Sequence, residues 1–463
     1  MVVCTHCLFC AAEKAKACSH GKTSYVGPYL QQLIISSFHA YKKTIDPSAG
    51  WPSLIVIIIA PVQYTDSHPT SINNATVWIA VAPEPAQHHA VYLSKPSCTL
   101  PPIATSTNET AAQAPAPLVA ERKVVLGEAA GIPIIDFSGF LDDTAKDEVA
   151  KAVIESFKRW GFVYLKNFGL PTEQVDEMFN WASAAFTLLQ SKQFFAQPRE
   201  VKMLAPHPGI PHINRGYIPP GIEKFTQSND SEEVAEIRHK EPDVIENFSC
   251  GHDDSILGKN IWLPEGVLPG FNEACQQFYW KCYGVEISIL KAIAVALGLP
   301  EDYLAKSHSG RDQSLRLMHY PSVPAQKLVD GEISRIGAHS DFSSITLLFQ
   351  DDVGGLEVEN PDRPGEFISV PPVPRAVLVN AGDFMQRWSN DQIRSALHRV
   401  RAPPGMTDGM TPDRYSIPYF CSTDFDLTVD CLPGTYSETN PKKYEPITAG
   451  EYITQRLASL YHK

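Results

Sequence analysis

The chain has 463 residues, enough for two or three domains of ordinary size, and its 43% hydrophobic and 20% charged content is typical of globular proteins. The formal net charge of -13 argues against a nucleic-acid partner, because phosphate contacts require clustered lysine and arginine. The longest apolar run, 54–62, is far shorter than the roughly 18 apolar residues of a membrane span. It is interpreted as a buried strand or an unstructured apolar patch, and we expect no membrane partner.

The first residues contain four closely spaced cysteines, Cys4, Cys7, Cys10 and Cys18. Their spacing is compatible with a zinc or iron–sulfur site, but no foldable segment surrounds them to supply further ligands, which favours an irregular tail. The cysteines also interrupt the apolar part of this segment, and no charged leader precedes it, so it does not resemble a secretory signal. The other six cysteines are scattered, as in a reducing compartment, and we expect a cytoplasmic protein.

Residues 1–125 show no sustained helical or strand periodicity. They end in a stretch rich in proline, alanine and threonine, 98–123, which is typical of a linker. We therefore expect residues 1–125 to form a poorly structured, largely disordered extension.

Residues 126–310 alternate apolar strands with amphipathic helices. Strand 132–137, whose proline suits an edge, is followed by a helix that closes at Gly161. A long helix begins near Phe271 and is stopped by glycine and proline at 298 and 300, whereas 204–263 has the composition of a loop. The apolar faces of the helices need a partner, so we expect them to buttress a sheet.

From residue 311 to 463 the hydrophobic period changes towards two, which is typical of short strands separated by turns. Many short strands at this spacing indicate a double-sheet barrel of the jelly-roll kind, and the whole chain is assigned to the α+β class. The predicted strands are 314–319, 344–349, 356–358, 376–380, 399–402 and 414–421.

His339-Ser340-Asp341 is the strongest candidate for a metal site. Residues two apart on a strand point to the same face, so His339 and Asp341 can converge, and His398 can supply a third ligand from another strand. Two imidazoles and a carboxylate form a facial triad that leaves about three positions open on octahedral Fe²⁺. By itself His-x-Asp is a weak signal, since most such triplets lie on a surface strand.

Arg414 and Ser416 strengthen this interpretation, because their spacing also places them on one face of a strand. A guanidinium and a hydroxyl form a receptor for a buried carboxylate. An exposed strand with a solvated arginine is the alternative for this pair taken alone.

The chain resembles the iron- and 2-oxoglutarate-dependent dioxygenase superfamily, in the branch that includes isopenicillin N synthase and plant dioxygenases. The resemblance covers roughly 330 residues in the order and spacing of the family, and its wording at LLFQDDVGGLEV is closest to fungal members. The matching stretches are IPIIDF (132–137), RWGFVYLKNFG (159–169), NRGYIPPGIE (214–223), LRLMHYP (315–321), GAHSDFSSITLLFQDDVGGLEV (337–358), NAGDFMQRWSND (380–391), SALHRV (395–400) and RYSIPYF (414–420).

The resemblance implies that His339, Asp341 and His398 bind Fe²⁺. It further implies that Arg414 and Ser416 hold the C5 carboxylate of 2-oxoglutarate, with Tyr320 near its C1 carboxylate. The family often has asparagine where this chain has Met318, which removes one hydrogen-bond donor from the cosubstrate site.

The expected reaction is therefore hydroxylation of a C–H bond in a small organic molecule, coupled to oxidative decarboxylation of 2-oxoglutarate by O2, in secondary metabolism. Two alternatives are an isopenicillin N synthase-like oxidase or cyclase that keeps these residues without using 2-oxoglutarate, and a non-catalytic binding protein on the same scaffold. The substrate and the oligomeric state cannot be read from the sequence. Several other matching residues are expected to shape turns or the core rather than the chemistry: Asn380, Gly382, Asp383, His319, Arg399, Trp388, Phe342 and Phe384.

Overall fold

The computed structural model describes residues 123–182, 194–210, 213–228, 231–255 and 258–461, together with the backbone of strands 54–58 and 78–82. The chain divides into two units after Ala114. In the first unit, β1 (Leu54–Ile58) pairs antiparallel with β2 (Trp78–Ala82), so part of the apolar run 54–62 is a strand. The N-terminal cysteines and most of the predicted extension lie outside the described residues.

The second unit contains the elements that the sequence assigns to a sheet buttressed by helices. In chain order they are β3 (Val125–Ala129), β4 (Ile132–Asp136), α1 (Ser138–Leu141), α2 (Lys146–Trp160), β5 (Phe162–Lys166), α3 (Thr172–Ala182), α4 (Arg199–Lys202), β6 (Gly216–Ile218), α5 (Ser231–Lys240), β7 (Glu246–Cys250), α6 (Phe271–Ala296), a 3-10 helix (Ala305–His308), β8 (Ser314–Tyr320), α7 (Ala325–Val329), β9 (Ile336–His339), β10 (Ile345–Gln350), β11 (Leu356–Glu359), β12 (Phe367–Ser369), β13 (Ala376–Ala381), α8 (Asp383–Trp388), β14 (His398–Val400), β15 (Arg414–Cys421), β16 (Thr428–Val429), β17 (Ile447–Thr448) and α9 (Ala449–Tyr461). None of the helices in this part of the chain combines the length and hydropathy that a membrane span requires.

Two sheets face each other to form the jelly roll. The larger sheet has the order β3-β4-β5-β13-β10-β15-β8-β7-β6, and the smaller has the order β12-β11-β14-β9. All neighbouring strands are antiparallel except β4 and β5, which are parallel. The prediction of an α+β jelly-roll core supported by helices is confirmed.

Alternation along the strands of the larger sheet sorts their side chains onto two faces. One set packs against helices α2 and α6, as Leu347 and Ile417 do, and the other set faces the smaller sheet. Tyr320 and Leu378 belong to this second set and pack with Val358 of the smaller sheet. The space between the two sheets is therefore where inward-facing polar side chains can meet.

Helix ends agree with the sequence signals that predict them. Helix α2 closes at Gly161, which adopts a left-handed conformation with φ 69° and whose N–H donates to the carbonyl of Phe157. A Cβ at Gly161 would lie 2.5 Å from the carbonyl oxygen of Arg394, so glycine is needed there for packing as well as for conformation. Helix α6 begins at Phe271, as predicted, and ends at Ala296, just before the predicted stop.

Two of the strand and loop predictions for this unit are wrong. Strand β4 is not at an edge, since it lies between β3 and β5, and Pro133 fits there because pairing with β5 begins only at Ile134. The segment 204–263 is not simply a loop, because it contains β6, α5 and β7. Strand β7 has five buried residues with polar side chains among them, so its sequence lacks the alternation by which strands are recognised.

Candidate metal and cosubstrate site

The two candidate histidines lie opposite each other on neighbouring strands of the smaller sheet. His339 is the last residue of β9, and its partner in the antiparallel register is His398, the first residue of β14. Their ring centroids are 4.3 Å apart, and both side chains are buried. Two imidazoles 59 positions apart in sequence are thus brought to one point by strand pairing.

Each imidazole is oriented by a backbone carbonyl two residues earlier. Nδ1 of His339 lies 2.9 Å from the carbonyl oxygen of Gly337, and Nδ1 of His398 lies 3.2 Å from that of Ala396. Because a carbonyl oxygen can only accept, each Nδ1 carries a proton, and the neutral form of each ring therefore has its lone pair on Nε2. Burial, followed by the neighbouring imidazole of His398, lowers the pKa of His339 to about 3, which keeps it in the neutral form that a metal requires.

Asp341 completes the cluster from a position just beyond the strand. The sequence places it on one strand with His339, but β9 ends at His339. Oδ1 of Asp341 still lies 3.8 Å from Nε2 of His339 and 3.7 Å from Nε2 of His398. The ligand atoms of the three residues all lie within 4.8 Å of one another.

Asp341 lies beyond the end of β9, and hydrogen bonds from the larger sheet hold its side chain in place. Its Oδ2 accepts hydrogen bonds from Oγ1 of Thr346, at 2.6 Å, and from Nδ2 of Asn380, at 2.7 Å. Burial opposes the charge, but the two imidazoles and these two donors outweigh it and lower the pKa of Asp341 below its usual value. Asp341 is therefore a carboxylate with one oxygen held by the protein and the other turned towards both imidazoles.

The turn after β13 packs directly against the loop that carries Asp341. The N–H of Asp383 donates to the backbone carbonyl of Asp341, at 2.8 Å, and the N–H of Gly382 donates to that of Ser344. A Cβ at Gly382 would overlap the carbonyl oxygen of Ser343. Gly382 and Asp383 thus shape the loop, as the sequence indicates, whereas Asn380 has the additional part of contacting Asp341.

The predicted cosubstrate residues form a second cluster on the inner face of β8 and β15. Arg414 is paired with Tyr320 in the strand register, and its guanidinium lies 4.7 Å from the centroid of the tyrosine ring. The hydroxyl oxygens of Tyr320 and Ser416 are 3.4 Å apart. Met318, the register partner of Ser416, is buried, and its sulfur lies 3.8 Å from the Tyr320 hydroxyl. All three predicted residues are therefore adjacent.

Arg414 has an unused hydrogen-bond donor. Its side chain is 1% exposed, Nε donates to the carbonyl of Gly354 at 2.9 Å, and Nη2 donates to Oε1 of Gln350 at 3.1 Å. Nη1 is buried and has no partner. A buried donor without a partner is costly, so the cluster fits a carboxylate ligand.

A cavity of about 110 Å³ opens beside the metal-ligand cluster, with His339 and Asp341 in its wall. Four aromatic side chains line it: Phe225, Phe342, Phe420 and Phe425. The expectation that Phe342 belongs to the core is therefore wrong, because the loop that carries Asp341 turns this ring into the cavity. The guanidinium of Arg456 lies 4.4 Å from the centroid of the same ring. His319 is structural, as predicted, since it lies between the carboxylates of Glu246 and Asp413.

Comparison with known proteins identifies the family. Residues 311–423 match the profile of the 2OG-Fe(II) oxygenase superfamily, and residues 132–265 match that of the non-haem dioxygenase in morphine synthesis N-terminal region. The chain belongs to the 2OG-Fe(II) oxygenase superfamily. It is 37% identical to a proline hydroxylase of Petromyces alliaceus, over 71% of this chain and 98% of that protein. It is 36% identical to a 2-oxoglutarate-dependent dioxygenase of a Dothideomycetidae species, over 72% and 97%.

Solved structures support the same assignment. A full-length protein of Neurospora crassa in complex with alpha-KG is 39% identical, covers 72% of this chain and 99% of that chain, and superposes with a TM-score of 0.63. A 2OG-Fe(II) oxygenase family protein of Caulobacter crescentus covers 71% of this chain and 98% of its own, with 30% identity and a TM-score of 0.57. The chain is thus a 2-oxoglutarate-dependent dioxygenase with Fe²⁺ as cofactor and 2-oxoglutarate and O2 as cosubstrates, and the main sequence interpretation is favoured over the isopenicillin N synthase-like alternative.

Proposed function

We propose that Nε2 of His339, Nε2 of His398 and Oδ1 of Asp341 bind the Fe²⁺ of this dioxygenase. The convergence of these three ligand atoms beside a cavity carries the proposal. Two neutral nitrogens and one hard oxygen suit Fe²⁺, and the cavity side of the cluster leaves coordination positions for 2-oxoglutarate and O2. With 2-oxoglutarate and O2, the iron supplies the oxidising power needed to break a substrate C–H bond.

Arg414, Ser416 and Tyr320 are proposed to bind the C5 carboxylate of 2-oxoglutarate. The free donor of Arg414 and the hydroxyls of Ser416 and Tyr320 supply three hydrogen bonds to one anion. The sequence resemblance assigns Tyr320 to the C1 end instead. Its contacts with Arg414 and Ser416 favour the C5 end.

The substrate is proposed to be an uncharged small molecule that is hydroxylated. Two arginines line the cavity, and each has an acidic neighbour. Arg316 forms an ion pair with Glu223, with Nη1 to Oε2 at 3.2 Å, and Ser255 links Arg215 to Asp312 by hydrogen bonds. Because these charges cancel, the part of the cavity away from the metal ligands offers hydrogen-bonding groups and aromatic rings rather than a net charge to its ligand.

A ligand of one relative belongs to this class, since the Neurospora crassa protein has also been solved with thymine, which is uncharged. A screen of O2 uptake with matched pairs of compounds, each with a free acid and its amide, tests the substrate class. Faster turnover of the acids would contradict the proposal.

We further propose that the reaction belongs to secondary metabolism and takes place in the cytoplasm. The five described cysteines, all buried and free of disulfides, are compatible with a reducing compartment.

The residue assignment is tested by replacing one predicted ligand. His339→Ala should lose iron binding and 2-oxoglutarate turnover while the protein stays folded, because two ligands hold the metal too weakly. Iron content and succinate formation are the measurements, and exposed His239→Ala is the control that should leave both unchanged. Turnover that survived in His339→Ala would make the metal assignment wrong. Product formation in wild type without 2-oxoglutarate would favour the isopenicillin N synthase-like alternative.

A further inference from the structure

A second buried arginine lies in the same region as Arg414. Arg335 is completely buried, with 0% of its surface exposed, and it immediately precedes β9. Its Nη2 donates to the carbonyl of Pro412 at 2.6 Å, but its Nε and Nη1 are buried without a partner. Together with Nη1 of Arg414, three guanidinium nitrogens in this region have unused donors.

The segment that Arg335 contacts leads directly into β15, which carries Arg414 and Ser416. Pro412, which accepts its hydrogen bond, is two residues before Arg414 on the segment that leads into β15. Burial, and next the positive charge of Arg414, lower the pKa of Arg335 to about 10, while Tyr320, Asp351 and Asp413 act in the opposite direction. Arg414 and Tyr320 are therefore both within electrostatic reach of Arg335.

The acidic groups of this region attract Arg335 from a distance but form no ion pair with it. Oδ1 of Asp413 accepts from Nε2 of His319 and from the N–H of Ser322, and Asp351 accepts from two backbone N–H groups. Within the described residues, no carboxylate lies at ion-pair distance from Arg335. Two buried guanidinium groups that repel each other and keep unused donors destabilise the folded state unless an anion binds between them.

We propose that Arg335 is a second guanidinium of the cosubstrate pocket, which binds the C5 carboxylate of 2-oxoglutarate together with Arg414. This inference rests on the proposed function of Arg414, Ser416 and Tyr320. Arg335 would then select for a 2-oxo acid with a distal carboxylate over one without it. Since β9 begins directly after Arg335 and ends at His339, one short strand would connect the carboxylate site to the metal site.

Binding of two ligands that differ in the distal carboxylate tests the proposal. The dissociation constants of 2-oxoglutarate and of 2-oxopentanoate, which has a methyl group in place of that carboxylate, are measured by calorimetry on the anaerobic, iron-loaded full chain. Arg335→Gln should weaken 2-oxoglutarate binding by about tenfold or more, because a charge-assisted contact is lost. Binding of 2-oxopentanoate should be unchanged, and Arg335→Lys, which keeps the charge, should bind 2-oxoglutarate more tightly than Arg335→Gln.

Lys224→Met is the matched control for the loss of a buried cation. Lys224 is 1% exposed and contacts Asp243 and Ser334, the residue before Arg335, without reaching Arg414 or Tyr320 in any hydrogen bond or ion pair. It should lose stability yet keep the wild-type preference for 2-oxoglutarate. Equal weakening of both ligands in Arg335→Gln, or weakening of neither, would overturn the role of Arg335. If Arg414→Gln lost the preference for 2-oxoglutarate over 2-oxopentanoate while Arg335→Gln kept it, the proposed function would stand without this inference. If the wild-type protein showed no such preference, the proposed function and this inference would both fail.

Discussion

Thr346→Val removes one of the two hydrogen bonds that hold Asp341 without changing the shape of the side chain. Oγ1 of Thr346 donates to Oδ2 of Asp341 at 2.6 Å, and the threonine is 2% exposed, so water cannot easily take its place. A hydrogen bond to a charged group contributes about 1.5–3 kcal/mol, and we expect the free energy of unfolding to fall by about that amount at neutral pH.

The same substitution should also weaken metal binding. With the hydroxyl gone, Asn380 alone holds Oδ2, and the carboxylate can turn so that Oδ1 no longer points at both imidazoles. Loss of a group that orients a metal ligand typically reduces affinity by about 10–100-fold, and we expect an increase of that size in the dissociation constant of Fe²⁺. Anaerobic calorimetry with Fe²⁺ and urea unfolding of the metal-free protein measure the two effects separately.

Thr435→Val is the matched control, because Thr435 is also 2% exposed and its hydroxyl donates to a backbone carbonyl, that of Leu432, at 2.7 Å. Loss of this neutral hydrogen bond should cost about 0.5–1.5 kcal/mol of stability and leave Fe²⁺ binding unchanged. If the two variants behaved alike in both measurements, the argument that Thr346 orients the metal-binding carboxylate would be refuted.

Two further changes test the surroundings of the site. Gly382→Ala should reduce the free energy of unfolding by at least about 1–3 kcal/mol and lower the iron content. The reason is that the added Cβ would overlap the carbonyl oxygen of Ser343 and lie 2.9 Å from that of Asp341. A variant with the wild-type melting temperature and iron content would contradict this packing argument. His308 is buried as the neutral form, and burial lowers its pKa to about 4, below the value of about 6.5 in the unfolded chain. The unfolded state therefore binds the extra proton first, and stability should fall by about 1.4 kcal/mol for each pH unit between about 6.5 and about 4. Between about pH 7.5 and about pH 5.5, His308→Gln should lose about 1.4 kcal/mol less unfolding free energy than the wild-type protein does. An equal loss in the variant and the wild type would mean that His308 is protonated in the native state.

Local patterns predict the parts of this fold that depend on neighbouring residues. The period-two alternation of β10 and β15 places Leu347 and Ile417 against the helices and Ser416 on the inner face. The glycine after α2 marks the end of that helix for a local reason, its left-handed conformation. Strands β6 and β7 were not predicted, since they are recognised by pairing, β7 with β8 and β6 with β7, rather than by any pattern of their own.

The same distinction separates the predicted members of the site from those that were missed. The residue types of a facial triad are specific, so His339, Asp341 and His398 could be proposed before their distances were known. Thr346 and Asn380 are ordinary residues of β10 and β13, and what joins them to Asp341 is the register that pairs Thr346 with Asn380 across those strands. No sequence spacing signals such a contact.

The larger sheet holds the side chain of Asp341 in position, although Asp341 follows a strand of the smaller sheet. His339 and His398 are fixed by pairing between β9 and β14, whereas the hydrogen bonds to Asp341 come from β10 and β13. A metal bound by all three would therefore link the two sheets at one point, and its binding would stabilise the jelly roll as well as activate O2. Substitutions that loosen either sheet should then weaken metal affinity even where no ligand is touched, and metal-free protein should unfold more easily than iron-loaded protein because that link is missing.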